Sequence, residues 1–368
     1  MPPLLTISIA TYNAADLLRV TLGAALPQVR EAGGKVELLV MDDGSSDDTA
    51  SLAIEAQQLG PFRYIRNEKN LGTCANLISG PTRHARGEFV WCWNQHCLLY
   101  PGALARLLAI LETHPNEDVF YANFRCASHP EDWPESATGG YDGPFRYHGH
   151  QDRSDRPVDR WQDVLEPAMS LGTQAYAHIV RRSIWTSFWS TRSVGESYVD
   201  ALSTYPHTCM LAETVLNQPA FYVGTPLLTI FNGAQSWRDP ATRARVWMLG
   251  WPDLLRIFRR EGLDRSKLIA ANHWGGRHAG SLAFGPPGPG RPVVRRLFFR
   301  FLLHEGLRPR VPSGLWFAFR ESDRLPARAL RAVGNRFTAI NRYVLHDCRP
   351  ARWLRGWQER KRLNQRNS

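Results

Sequence analysis

The chain has 368 residues, 43% hydrophobic and 21% charged, which allows one large domain or two ordinary ones and excludes wholesale disorder. The net charge of +11 is uneven: from Gly290 to Ser368 there are about 19 Lys and Arg against about 5 acidic residues, leaving the remainder slightly acidic. A basic tail on a near-neutral body implies an anionic surface as partner, and with no nucleic-acid motif present that surface is expected to be phospholipid.

The six cysteines (Cys74, Cys92, Cys97, Cys126, Cys209 and Cys348) form no CxxC pair, which argues against a zinc site or disulfide framework and predicts buried thiols in a reducing compartment. No apolar run approaches the ~20 residues of a membrane span. The opening MPPLLTISIATYN lacks a basic leader and reads directly as a first strand, so a cytoplasmic protein, at most peripheral to the inner face of the membrane, is expected.

In chain order, Leu4 to Ala10 reads as a strand and Ala15 to Ala25 as a helix. Val36 to Met41 is a strand-length run closed by the turn-rich DDGSSDDT; helix follows from Thr49 to Gln58 and strand from Phe62 to Arg66. Helix from Thr73 to Arg86 and strand from Glu88 to Trp93 complete the alternation. Apolar strands separated by helices imply a mostly parallel sheet covered on both faces, with ligands outside the carboxyl ends of its strands. Polar clusters after Ile9, Met41 and Trp93 fall at those ends.

Beyond Leu111 the pattern blurs. Pro130 to Arg160 reads as a long loop, Leu171 to Ser190 and Ser197 to Leu216 as mixed or helical, and Ala220 to Phe231 as a strand pair broken by Gly224 and Pro226. Helices return between Ala241 and Phe284, and GPPGPGRP, Gly285 to Pro292, has the composition of a linker.

Two clusters carry the first chemistry. Thr11, Tyr12 and Asn13 close strand one, with Tyr12 offering a ring to a base. Asp42 and Asp43 close the second strand; Gly44 permits a tight turn, and Ser46, Asp47 and Asp48 suit the cap of the next helix. Two adjacent carboxylates exceed what capping requires.

Four blocks in order, TYN, DDGSSDDT, RNEKNLGTCANLISG and GEFVWCWNQHCLLYPGAL, resemble the inverting family 2 glycosyltransferases of the GT-A fold, over about residues 4 to 112. The resemblance implies an α/β GT-A-like nucleotide-diphospho-sugar transferase fold with a C-terminal helical extension. It implies base and ribose contacts from Thr11, Tyr12 and Asp42, and places Asn70, Gly72 and Asn76 near the donor ribose and phosphates. At the fourth block the family sets aspartates that bind Mg²⁺ or Mn²⁺, whereas this chain has Asn94, Gln95 and His96. Hard cations prefer carboxylate oxygens. Three readings stay open: metal-independent transfer with Lys69, Arg83, Arg86, Arg181 and Arg182 as candidate counter-charges; a weakened divalent-cation site through His96 and His207; or lost catalysis in a retained fold.

The resemblance also calls for a base just before a mid-chain helix. GESYVDALSTYPHTCMLAETV offers Glu196, Asp200 and His207, of which Asp200 and His207 lead. In YHGHQD, His148 and His150 alternate within a loop-like segment, read as solvated or as part of the acceptor rim.

VVRRLFFRFLL, Val293 to Leu303, sets aromatic residues opposite arginines, which suits a helix at a membrane interface or one packed on the catalytic domain, and WLRGWQERKRLNQR repeats the theme. The expected organisation is a transferase domain over 1–235 (donor half 1–112, acceptor half 113–235), a helical segment and linker over 236–289, and a basic tail over 290–368. The expected activity is sugar transfer from a nucleoside-diphosphate sugar to a saccharide or lipid-linked acceptor in bacterial surface polysaccharide synthesis. The rival is a silent nucleotide-sugar-binding or scaffold protein. A nucleotidyltransferase would need a Gly-rich loop with a following basic residue near the start, which is missing.

Overall fold

The computed structural model describes residues 2–127, 145–148, 150–231 and 239–284. The Gly/Pro linker, the Val293–Leu303 segment, the Trp353–Arg366 segment and Cys348 lie outside the described residues.

The first half alternates as its apolar runs require: β1 (Leu5–Thr11), α1 (Ala15–Glu31), β2 (Val36–Asp42), α2 (Thr49–Ala56), β3 (Arg63–Arg66), α3 (Thr73–Ser79) and β4 (Phe89–Asn94). Every residue of β1 is buried, as expected for a strand flanked on both sides and covered on both faces. Helix α1 runs past Ala25 and through Pro27, because Leu26 and Val29 extend the buried stripe of Leu18, Leu22 and Ala25; packing outweighs the missing N–H. Helix α3 ends before the expected Arg86, in a wide turn over Gly80–His84. There Gly80 lies so close to β1 that a Cβ would meet Ser8 Oγ at 2.1 Å.

The second half holds β5 (Cys97–Leu99), α4 (Ala103–Thr113), β6 (Val119–Ala127), β7 (Phe145–His148), β8 (Arg156–Val158), β9 (His178–Arg181), α5 (Arg182–Trp189), α6 (Pro206–Thr214) and β10 (Ala220–Phe231). Three further helices, α7 (Pro240–Arg245), α8 (Trp251–Arg260) and α9 (Arg265–Phe284), follow. The main sheet order is β3-β2-β1-β4-β9-β6-β10-β5, with β7 beside β6 and β8 beside β10. Strands β1 to β4 are mutually parallel. From β9 onward the sheet is mixed: β9 runs antiparallel to β4 and β6, whereas β10 is parallel to β6.

The expected strand pair at 220–231 is one strand. Gly224 and Pro226 fall in a bulge between Val223 and Leu228, where a Cβ on Gly224 would meet Ser154 O at 2.4 Å. Between Ser197 and Tyr205 there are turns, and helix begins at Pro206. Cys74, Cys92, Cys97, Cys126 and Cys209 are buried free thiols, as expected. No described helix is long and apolar enough to cross a membrane.

Candidate active site

The parallel register brings the ends of three strands together: Thr11 pairs with Asp42, and Ala10 with both Met41 and Asn94. A crevice of about 1050 Å³ opens across these ends. Thr11, Tyr12, Asn13, Asp43, Asn70, Gly72, Asn76, Asn94, Gln95, His96 and His207 all line it. Of the expected donor-site residues only Asp42 does not.

Asp42 has no exposed surface. One carboxylate oxygen accepts from Ser45 N at 2.9 Å and from the Ser45 hydroxyl; the other accepts from the Tyr64 hydroxyl and lies 3.4 Å from Arg66 Nε. The aspartate expected to meet the base therefore organises the turn beneath the crevice. Burial, with Asp42 alongside, pushes the Tyr64 hydroxyl well above its ordinary pKa.

Asp43, also buried, is the one of the pair that lines the crevice. Its carboxylate accepts from Asn67 Nδ2 at 2.9 Å, Leu71 N at 2.8 Å and Gly72 N at 3.0 Å, tying the Asn67–Gly72 loop to β2. Gly72 has φ +91°, which an L side chain resists, and a Cβ there would lie 2.8 Å from Ser197 Oγ. The loop is completed by Asn76 Nδ2, which donates to Met41 O at 2.9 Å.

Asn13 joins the first two turns: at φ 46°, its Oδ1 accepts from Ser46 N at 2.7 Å, while its own N–H donates to Ser45 Oγ. Asp47 accepts from Thr49 N and from Ala15 N, each at 3.1 Å, linking the starts of α1 and α2. Burial works against its charged form, but the Thr49 hydroxyl and these N–H groups hold Asp47 below the ordinary carboxylate value. Tyr12, on the crevice lining, is 45% exposed. The Thr11 hydroxyl is buried with no hydrogen-bond partner.

The proposed base candidates separate. Glu196 pairs with Arg245 at 2.9 Å and is solvated; Asp200 caps its own turn through Ser203 N at 2.7 Å; neither lines the crevice. His207 does, from the first turn of α6. Its Nε2 lies 3.0 Å from Thr173 O, so Nε2–H donates and Nδ1 carries the lone pair, buried and unpartnered. Burial lowers its pKa to about 4, the Thr173 carbonyl pulling the other way. Behind it, burial and then the His207 neighbour push His178 down to about 3.

The candidate counter-charges are not at the crevice. Arg86 reaches Glu37, Arg181 pairs with Glu88 and Asp118, and Arg182 donates to Gly87 O, all at the amino-terminal edge of the parallel strands. Neither Lys69 nor Arg83 lines the crevice, and no other Lys or Arg among the described residues does; Asp16, Asp43, Asp47 and Asp48 do.

For a divalent cation, the donor set is an amide pair, Asn94 and Gln95, with His96, whose Nδ1 sits 2.6 Å from Phe231 O. Among the described residues no three His, Cys, Asp or Glu converge on one point. These residues do not fit Mg²⁺ or Mn²⁺, which take oxygen shells rich in carboxylate. His150 is buried rather than solvated: its Nδ1 is 3.0 Å from Glu166 Oε1, and its ring packs edge-on against Tyr121.

The rest of the crevice lining was not legible in the sequence. Ser170, Thr173, Gln174, Tyr176, Tyr205 and Trp247 belong to it. The turn delivering Thr173 carries positive φ at Ser170 (56°), Leu171 (49°) and Gly172 (71°), of which only the glycine is a readable signal.

A parallel β3-β2-β1-β4 unit with a polar crevice across its carboxyl ends, joined to a mixed sheet, defines the GT-A-like class of nucleotide-diphospho-sugar transferase folds. Residues 6–170 match the family described as Glycosyl transferase family 2. An uncharacterized glycosyltransferase of Rickettsia typhi is 30% identical over 118 residues, 32% of this chain and 35% of that protein. Poly-beta-1,6-N-acetyl-D-glucosamine synthase of Staphylococcus aureus is 31% identical over 88 residues, 24% of this chain and 20% of the synthase. The chain thus spans about a third or less of these relatives' length. Among solved structures, S. aureus TarS 1-349 in complex with UDP-GlcNAc aligns with TM-score 0.52 at 13% identity, over 85% of this chain and 90% of that one. At that identity the likeness is one of fold.

Proposed function

We propose that the chain moves a sugar from a nucleoside-diphosphate sugar to a hydroxyl of a saccharide or lipid-linked acceptor, with inversion and without a resident divalent cation, in assembling a bacterial surface polysaccharide. The observation that carries this reading is the convergence of Thr11, Tyr12, Asp43, Asn70, Gly72 and Asn94 on one crevice, with His207 on its far wall. The polysaccharide setting is supported by the S. aureus synthase, and a nucleotide-sugar donor by the UDP-GlcNAc complex of TarS.

In the proposed reaction the acceptor oxygen attacks the anomeric carbon as the bond to the diphosphate breaks on the opposite side. His207 Nδ1 takes the hydroxyl proton, and the resulting imidazolium keeps its Nε2–H on Thr173 O. With a pKa lowered to about 4 by burial, His207 is neutral at pH 7 and a weaker base than a free imidazole. No step is assigned to a metal, since the Asn94-Gln95-His96 set does not suit one.

A silent binding protein is the second reading, favoured by the crevice lining of four aspartates and, among the described residues, no Lys or Arg. Incubation with UDP-, GDP-, CDP- and dTDP-sugars separates the two. Slow donor hydrolysis unaffected by EDTA is the expected result; binding without turnover of any donor would establish the silent reading instead, and hydrolysis abolished by EDTA would refute metal independence.

A further inference from the structure

The crevice has the wrong sign for a diphosphate. Asp16, Asp43, Asp47 and Asp48 line it, the first and last two of them exposed, and among the described residues no Lys or Arg does. A diphosphate brought among these carboxylates meets like charge, and without a metal its departure needs cations from the protein. The nearest cations along the chain do not fill that role. Arg245, beside the lining residue Val246, pairs with Glu196 at 2.9 Å, and Lys69, beside Asn70, does not line the crevice.

The chain's positive charge is concentrated in residues 285–368, with about 19 Lys and Arg against about 5 acidic residues. The last described helix, α9, leads to that segment from the crevice itself. It packs on the Pro167–Gly172 turn, which carries Ser170 of the lining. Its Trp274 and His278 pack on Trp247, another lining residue, with ring centroids 4.9 and 4.6 Å away. The helix ends at Phe284, about 9 Å further along its axis than His278. From there to Val293 an extended chain spans about 30 Å, enough to return to the crevice.

The mouth is apolar as well as acidic. Tyr12 is 45% exposed; Leu71, between the lining residues Asn70 and Gly72, is 42% exposed; Val199, next to the lining residue Tyr198, is 40% exposed. The sequence VVRRLFFRFLL, Val293 to Leu303, holds both complements: Arg295, Arg296 and Arg300 for the carboxylates, and Leu297, Phe298 and Phe301 for the apolar side chains. A guanidinium stays charged and grips carboxylate or phosphate oxygens in pairs.

We propose that Val293–Leu303 docks on the crevice mouth at Asp16, Asp48, Leu71 and Val199, and that Arg295, Arg296 and Arg300 bring to the donor diphosphate the positive charge the described lining lacks. The counter-charge rests on the transferase reading; the docking does not.

The full chain is titrated calorimetrically with UDP, GDP, CDP and dTDP. The best-bound nucleotide should lose at least about tenfold in affinity in the triple variant Arg295→Gln, Arg296→Gln, Arg300→Gln, while Lys69→Gln and Arg245→Gln stay within about twofold. Circular dichroism establishes that each variant is folded. A triple variant that binds like the wild-type chain, or a tenfold loss carried by Lys69→Gln instead, would overturn the counter-charge. Lost sedimentation with phosphatidylglycerol vesicles at unchanged nucleotide affinity would assign these arginines to a membrane and overturn it too.

Docking is read without nucleotide. Trypsin should cut after Arg295, Arg296 and Arg300 about fivefold faster in the Asp16→Asn, Asp48→Asn variant than in the wild-type chain, since two ion pairs at an exposed mouth are lost. Equal cleavage rates would overturn the docking. A wild-type chain that shows this protection yet binds no nucleotide would sink the transferase reading, and the counter-charge with it, and leave the docking standing.

Discussion

Replacing Asp43 with alanine probes the junction on which the crevice depends. The carboxylate is 2% exposed and accepts three hydrogen bonds, from Asn67 Nδ2, Leu71 N and Gly72 N, between 2.8 and 3.0 Å. Hydrogen bonds to a charged group contribute about 1.5–3 kcal/mol each, and they are not additive. Gly72 N keeps a second acceptor, Asn70 Oδ1 at 2.9 Å, so Leu71 N is the donor left most exposed to loss.

Removing a buried charge also recovers its desolvation cost, which brings the net destabilisation of Asp43→Ala to about 3 kcal/mol. Asp43→Asn keeps one acceptor oxygen for Leu71 N but turns an amide donor toward Gly72 N, for a cost of about 1–2 kcal/mol. Urea unfolding followed by far-UV circular dichroism measures both. Calorimetric titration with the nucleotide sugar should show donor affinity falling in the same order, because the loop carrying Asn70 and Gly72 loses its tether. An alanine variant as stable as the wild-type chain would refute the assignment of Asp43 as that tether.

Other outcomes follow from the same geometry. His207 and His178, with pKa values lowered to about 4 and about 3 from 6.5, take up protons on unfolding. Their contribution is therefore full above pH 6.5 and is lost as pH falls toward 4, by about 3 kcal/mol for His207; urea midpoints that do not fall across that window would contradict the burial of these rings. Gly72→Ala meets both a positive φ and Ser197 Oγ, and should cost about 1–3 kcal/mol and weaken donor binding, read by thermal melting and calorimetry. Arg86→Ala, at the opposite edge of the sheet and largely solvated, should leave donor affinity within about twofold. A tenfold loss of affinity would return Arg86 to the phosphate site.

The alternating first half was legible because its physics is local. Continuous apolar runs at β1, β2 and β4 stop abruptly at polar clusters, and parallel pairing then aligns those ends. What was illegible depended on tertiary contact. Nothing in the pattern DD says which carboxylate turns inward; Tyr64 and Arg66, on the neighbouring strand, claim Asp42 and leave Asp43 at the crevice. Arg181 and Arg182 lie at the amino-terminal edge because β9 enters the sheet antiparallel, a pairing that no short-range signal announces. Gly224 and Pro226 break propensity but not the strand, since β10 is held by β6 on both sides of the bulge. The lining residues Thr173, Gln174 and Trp247 come from a strained turn and from a helical segment distant in sequence, and share no contiguous motif.

The most direct test of the whole account is a crystal structure of the chain with a bound nucleoside diphosphate. The nucleotide should lie across the carboxyl ends of β1, β2 and β4, with its base beside Tyr12 and its ribose near Thr11 and Asp43. A nucleotide seated elsewhere, for example in the groove beside Glu37 and Arg63 at the opposite edge of the sheet, would contradict it.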